Sequence, residues 1–283
     1  MFPTPIEQTS KPVQWLYKGG LPISIFIWLL PIIAVALTSI RGQADLNAGN
    51  YWGWPTQLKI AENYQAVFQN TPIARYIFNS FRITIPTVIG AVALSCMSGF
   101  ALGVYRFRAN LVLFCLFVGG NFVPFQILMV PVRDMSLRLG LYDTVTGLVL
   151  FHVAFQTGFC TLFMRNFIRE LPRELIEAAR CEGANEFQIF WKVVLPLVRP
   201  AIAAMAVLIF TFIWNDYFWA TVLIQADHSM PVTGGLKSLN GQWVAQWQLV
   251  SAGSIVAALP PVLIFFLMQK HFIAGLTMGA TKG

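Results

Sequence analysis

Between two apolar stretches the chain reads Glu177-Ala178-Ala179-Arg180-Cys181-Glu182-Gly183-Ala184 and, further on, Val193-Val194-Leu195-Pro196. Pro172 is well placed to open a helix. Leu175, Ala178 and Ala179 then recur at helical spacing and give it a shallow face of small residues. Gly183 can take the backbone angles that end such a helix. A second helix is expected beyond it, with Phe187, Phe190, Trp191 and Val194 at i, i+3, i+4 and i+7, stopped by Pro196. Two short amphipathic helices around a glycine bend make a compact knob. One face packs on a helix bundle and the other is free to enter a groove. The plainer alternative is a loop helix lying on the surface.

The sequence around this knob is that of an integral membrane protein. Hydrophobic residues make up 57% of the 283 and charged residues only 11%, against about a quarter charged in soluble domains. Six apolar stretches, 22–40, 79–104, 111–132, 145–164, 200–224 and 249–269, have spanning length, which takes roughly 20 helical residues. Helices are expected because hydrocarbon offers unpaired backbone no partners. The segments 1–21, 105–110, 165–199 and 270–283 hold 12 Lys and Arg in 76 residues, whereas 41–78, 133–144 and 225–248 hold 6 in 74. This asymmetry places both termini and the knob in the cytoplasm. The first stretch is long for a signal-peptide core and is read as a span that is kept. The organisation expected is an N-terminal lead, first span and external loop over 1–78, a five-helix core over 79–269 containing the loop 165–199, and a cytoplasmic tail over 270–283. Aromatics of the first external loop (Trp52, Trp54, Tyr64, Tyr76) are read as interfacial anchors.

The spacing E-A-A-x3-G-x9-V-x-L-P resembles the EAA loop of bacterial ABC importer permeases, with Val193 where that family has Ile. The cluster Trp214-Asn215-Asp216-Tyr217-Phe218-Trp219 and the ending Phe272-Ile273-Ala274-Gly275-Leu276 are similar to MalG-type permeases of carbohydrate importers. The resemblance covers roughly 79–283. It implies an all-α, six-span permease of the MetI-like, type I importer class, residing in the bacterial inner membrane. It further implies one half of a heterodimer with a MalF-like subunit, a pair of cytoplasmic ABC ATPase subunits that bind ATP and Mg, and an extracytoplasmic solute-binding protein. The substrate implied is an oligosaccharide or small glycoside. Glu177, Ala178, Ala179, Arg180, Gly183, Ala184 and Phe187 would then form the ATPase-coupling face, and the tail 270–283 would lie against the ATPase pair. In such relatives a "scoop" enters the binding protein's cleft, and Thr233, Gly234, Gly235 and Leu236 stand where it is placed. The bland reading of that double glycine is a flexible connection.

Asp216 is the single acid inside an expected span, and intramembrane acids usually face a cavity or a partner. With Asn215, Tyr217, Trp219, His152, Asn79 and Arg82 it is a candidate for lining an outward substrate pathway, with Asn121 and Gln126 as further polar positions. Interhelical hydrogen bonding is the competing role. No phosphate-binding loop is present, the closest stretch at 275–283 having the wrong spacing, so nucleotide would sit on another chain and this chain would bind no cofactor of its own. His152, His228 and His271 are far apart and form no metal-ligand motif, and no nucleophile elbow occurs, which argues against an enzyme. The basic residues are dispersed among apolar spans and form no nucleic-acid surface. An ion-coupled secondary transporter is the main rival, though it would want several intramembrane carboxylates. The four cysteines are read as packing residues.

Overall fold

The computed structural model describes residues 6–239 and 246–278, which fall into two compact units, 1–71 with 239–256 and 72–238 with 257–283. The first boundary lies at 71/72 rather than the expected 78/79, and the last helix contributes to both units. No strand is present among the described residues.

In the first unit, α1 (Lys11–Ile40) runs for 30 residues and absorbs much of the expected polar lead. Two short helices follow, α2 (Gln43–Asn47) and α3 (Ile60–Asn70). Arg41 is fully buried and donates to the carbonyls of Leu37 and Gly53 at 3.2 and 2.9 Å. The Asn63 amide bridges the carbonyls of Ser39 and Arg41, both at 2.9 Å. Asp45 accepts from the Thr56 amide and hydroxyl at 3.0 and 2.7 Å. A segment that hydropathy marks only as a loop is thus fixed by buried polar pairing.

The second unit is built on α4 (Ile73–Val104) and α7 (Val145–Arg169), which pack along their lengths. Small residues permit the close approach, as in membrane bundles generally. A Cβ at position 99 would lie 2.9 Å from Met164 Cβ and 3.0 Å from the Arg165 backbone nitrogen. Hydroxyls of Ser98 and Thr161 meet at 2.6 Å across the same seam. Gly99→Leu is therefore expected to force the helices apart and to cost about 1–3 kcal/mol. A lowered thermal midpoint of the detergent-purified protein checks this, with Met97→Leu on the exposed side of α4 as the silent control.

Of the six expected spans, four correspond to single helices long and apolar enough to cross a membrane: α1, α4, α7 and the last helix. The third and fifth are broken. Residues 111–132 divide into α5 (Asn110–Gly119), a 3₁₀ turn over Gly120–Phe122 and α6 (Met129–Arg138). Adjacent Gly119 and Gly120 are poor helix formers, and Pro124 cannot donate to the helical ladder. Residues 200–224 divide into α10 (Arg199–Trp214) and the short α11 (Phe218–Leu223), the second following a break at Asn215-Asp216-Tyr217. The last helix, α13 (Trp247–Met278), continues nine residues past the expected end at Gln269. The expected tail is therefore helical to Met278, and 279–283 lie outside the described residues.

Two smaller expectations change as well. Tyr76 is buried and hydrogen-bonded to Asp227 rather than an interfacial anchor. Cys115 and Cys181 are exposed, and only Cys96 and Cys160 are buried in packing.

Candidate functional site

The knob forms as two capped helices. In α8 (Arg173–Cys181) Ile176 is the buried residue, Ala179 is half-buried against the core, and Glu177, Ala178 and Arg180 are exposed. Gly183 has φ +83, a left-handed conformation that side chains with a Cβ resist. The Ala184 amide donates to the Ala179 carbonyl and the Gly183 amide to the Arg180 carbonyl, both at 3.0 Å, which closes the end of α8 in the manner of a Schellman turn. Asn185 then starts α9 (Glu186–Leu197) with a capping box: it accepts from the Gln188 amide at 2.9 Å, and Gln188 Oε1 accepts from the Asn185 amide at 3.0 Å. The N-x-x-Q spacing of Asn185 and Gln188 is the local sequence signal of this cap.

The expected stripe of α9 is split. Phe190 and Val194 are buried beside Ile189, but Phe187 is 71% and Trp191 55% exposed. A wide i→i+5 turn over Ile189–Val194 alters the helical register, so Ile189 takes the buried place expected of Phe187. α9 meets α10 at a bend of 75°, flanked by Pro196 and Pro200. Arg180 braces the two short helices by pairing with Glu186 at 2.8 Å, and the Tyr105 hydroxyl donates to the same carboxylate at 2.5 Å. The Arg180 bond, followed by that of Tyr105, holds the Glu186 carboxyl below its ordinary range. A charged, small-residue edge (Glu177, Ala178) and two exposed aromatics (Phe187, Trp191) therefore stand on one rigid knob.

The second feature is a recess of about 640 Å³ at the break between α10 and α11. His152, Asn215, Asp216, Tyr217 and Trp219 of the expected pathway line it, together with Thr211 and aromatic walls from Phe125, Phe155, Phe212 and Phe265. Leu208, Thr211, Phe212 and Asn215 occupy i, i+3, i+4 and i+7 of one face of α10, a periodicity that marks this wall in the sequence. Asp216 creates the break: its carboxylate accepts from the amides of Trp219 and Ala220 at 3.2 and 2.9 Å, capping α11. His152 is 1% exposed. Its Nε2 lies 3.3 Å from Asp216 Oδ2 but is not aligned to bond it, so both ring nitrogens lack a hydrogen-bond partner.

The two remaining pathway candidates lie elsewhere. Asn79 is buried and donates its amide to the carbonyls of His228 and Met230 at 2.8 and 3.1 Å. Arg82 is exposed, over the Phe78 ring at 5.8 Å. Asn121 and Gln126 are exposed outside the recess.

The segment 230–236 departs from the expected scoop. Val232, Gly234 and Gly235 are buried in the one-turn helix α12 (Val232–Gly235), with Thr233 and Leu236 partly so. The Val232 amide donates to Ser80 Oγ at 2.9 Å and the Thr233 hydroxyl to the Asp216 carbonyl at 2.5 Å. Gly235 abuts the Tyr76 ring with no room for a Cβ. The double glycine serves close packing, not a flexible exposed tip.

This geometry has known relatives. Residues 91–278 match the family described as a binding-protein-dependent transport system inner membrane component. The chain belongs to this family. It is 33% identical over 280 residues to the arabinooligosaccharides transport system permease protein AraQ of Halalkalibacterium halodurans, covering 98% of this chain and 99% of that one. It is likewise 33% identical over 287 residues to the osmoprotective compounds uptake permease protein GgtD of Synechocystis, covering 98% and 96%. A chain from the crystal structure of a bacterial ABC transporter involved in the import of the acidic polysaccharide alginate shares the fold, with TM-score 0.80 and 24% identity over 93% of this chain and 99% of that one. The chain is thus a multi-pass inner-membrane permease component of a binding-protein-dependent importer, and the ion-coupled secondary transporter is not favoured.

Proposed function

We propose that this permease is one half of the translocation pathway of an ATP-driven importer of an oligosaccharide or small glycoside, paired with a MalF-like subunit. The knob of α8 and α9 docks on a cytoplasmic ATPase subunit, with both termini of the chain on the same side of the membrane. A pair of such subunits carries ATP and Mg, an extracytoplasmic binding protein delivers the solute, and this chain performs no catalysis. Closure of the ATPase pair moves the knob, and the direct connection of α9 into α10 turns that motion into rotation of the bundle. The recess at the α10–α11 break forms part of the solute path.

The exposed Glu177, Ala178, Phe187 and Trp191 on a doubly capped knob carry this reading. Small Ala178 permits close approach, the aromatics supply buried contact area, and Glu177 contributes a charge contact. Glu177→Lys in the reconstituted transporter should leave membrane insertion intact. Substrate-stimulated ATP hydrolysis should fall about tenfold or more, the scale of losing one desolvated charge contact. Wild-type stimulation in that variant would defeat the docking assignment.

A further inference from the structure

We propose that the recess at the α10–α11 break selects uncharged, ring-bearing polyols and excludes anionic solutes such as phosphate esters and uronates. The inference rests on the recess being part of the solute path, as proposed above, and narrows the class of solute that path takes.

Charge is the first argument. Asp216 is an acid on the wall, and among the described residues no Lys or Arg lines the recess. Arg82, the cation that sequence placed in this region, stands outside it over Phe78. An anion about 5 Å from Asp216, at an effective dielectric near 20, would be disfavoured on the order of a hundredfold. The amides of Trp219 and Ala220, at the positive end of α11, partly balance the carboxylate. This balance lowers the repulsion of an anion and the attraction of a cation alike, so the hundredfold figure is an upper bound.

Hydrogen-bonding capacity is the second. The Thr211 hydroxyl spends its proton on the Val207 carbonyl, and the Asn215 amide spends one of its two N–H groups on the Thr211 carbonyl, at 2.9 Å each. Their oxygens remain as acceptors for hydroxyl donors, and the second Asn215 N–H remains as a neutral donor. The aromatic walls supply flat faces for the apolar side of a ring.

Substituted-cysteine labelling tests this without knowing the solute. The exposed thiols are removed (Cys115→Ser, Cys181→Ser), and Thr211→Cys or Leu208→Cys is introduced singly, so that one reporter remains if the other fails to fold. The complete transporter in proteoliposomes, turning over ATP, is treated with a neutral hexose-bearing, a cationic and an anionic methanethiosulfonate. Each rate is normalised to that of the reagent with a free thiol in solution. The anionic reagent should react at least tenfold more slowly than the neutral one. An anionic rate equal to the neutral rate overturns the charge selection, and a thiol that no reagent reaches overturns it too. Labelling by the hexose reagent at the same rate with and without ATP turnover would instead remove the recess from the alternating solute path, a failure of the underlying reading that is told apart from the first.

Discussion

Gly183→Val is expected to uncouple the transporter while leaving the bundle folded. Position 183 has φ +83, where a β-branched residue costs on the order of 1–3 kcal/mol. The strain can be relieved only by rotating the bend, which breaks the 3.0 Å bonds that end α8. The cap at Asn185 starts two residues later, so rotation at 183 re-aims α9 relative to α8 and pulls Glu186 from Arg180. Phe187 and Trp191 are then re-aimed relative to Glu177 and Ala178, and a partner groove that contacts both helices loses its fit. Substrate-stimulated ATP hydrolysis should drop by more than about tenfold. The thermal midpoint should fall by only about 2–12 °C, at 2–4 °C per kcal/mol, with the bundle still folded, because no Cβ at 183 meets another atom within 4 Å. Asn tolerates the left-handed region, so Gly183→Asn should retain most of the stimulation. A valine variant that hydrolyses ATP with normal stimulation would show that the angle between these helices does not matter.

The knob was readable in the sequence because its signals are local. A helix-opening proline, a left-handed glycine and a small-residue face each act within one turn of chain, and the composition decided the membrane class. What escaped were features that depend on where side chains end up. The break at 215–217 lies inside an unbroken hydropathy peak, since Asn215, Asp216 and Tyr217 are too few to lower it. Only the capture of the Trp219 and Ala220 amides by Asp216 turns that peak into two helices. The wide turn in α9 likewise leaves no compositional mark, yet it decides that Ile189 and not Phe187 is buried. Asn79 and His152 are both polar residues in expected spans, and sequence treats them alike. In the fold, one is consumed by the carbonyls of His228 and Met230 while the other packs beside Asp216 in the wall of the recess. Burial, unlike periodicity, is not a property of a single segment.

Gly235→Leu is expected to be the most damaging single change outside the α4–α7 seam. Read as part of an exposed loop, position 235 would accept leucine within about half a kcal/mol, as surface positions do. In the fold the glycine lies against the Tyr76 ring, which is itself 1% exposed, so the new side chain has no space to enter. Overpacking of this kind costs about 1–3 kcal/mol where the backbone can shift. Here a shift of α12 also strains the Val232 bond to Ser80, the Asn79 bonds to His228 and Met230, and the Thr233 bond to Asp216. Each buried polar group stripped of its partner adds roughly 1–3 kcal/mol. The total of about 3–5 kcal/mol is a large part of the 5–15 kcal/mol that typically holds a folded chain together. A fall of roughly 10 °C in the thermal midpoint of the purified protein, at 2–4 °C per kcal/mol, is the expected reading. Adding Tyr76→Ala should restore part of the loss even though it is destabilising alone, because the ring is what the leucine strikes. Two mutations that together cost less than the sum of their separate effects indicate contact. Strict additivity, or a leucine variant as stable as the parent, would return residues 233–236 to the role of an exposed, flexible tip.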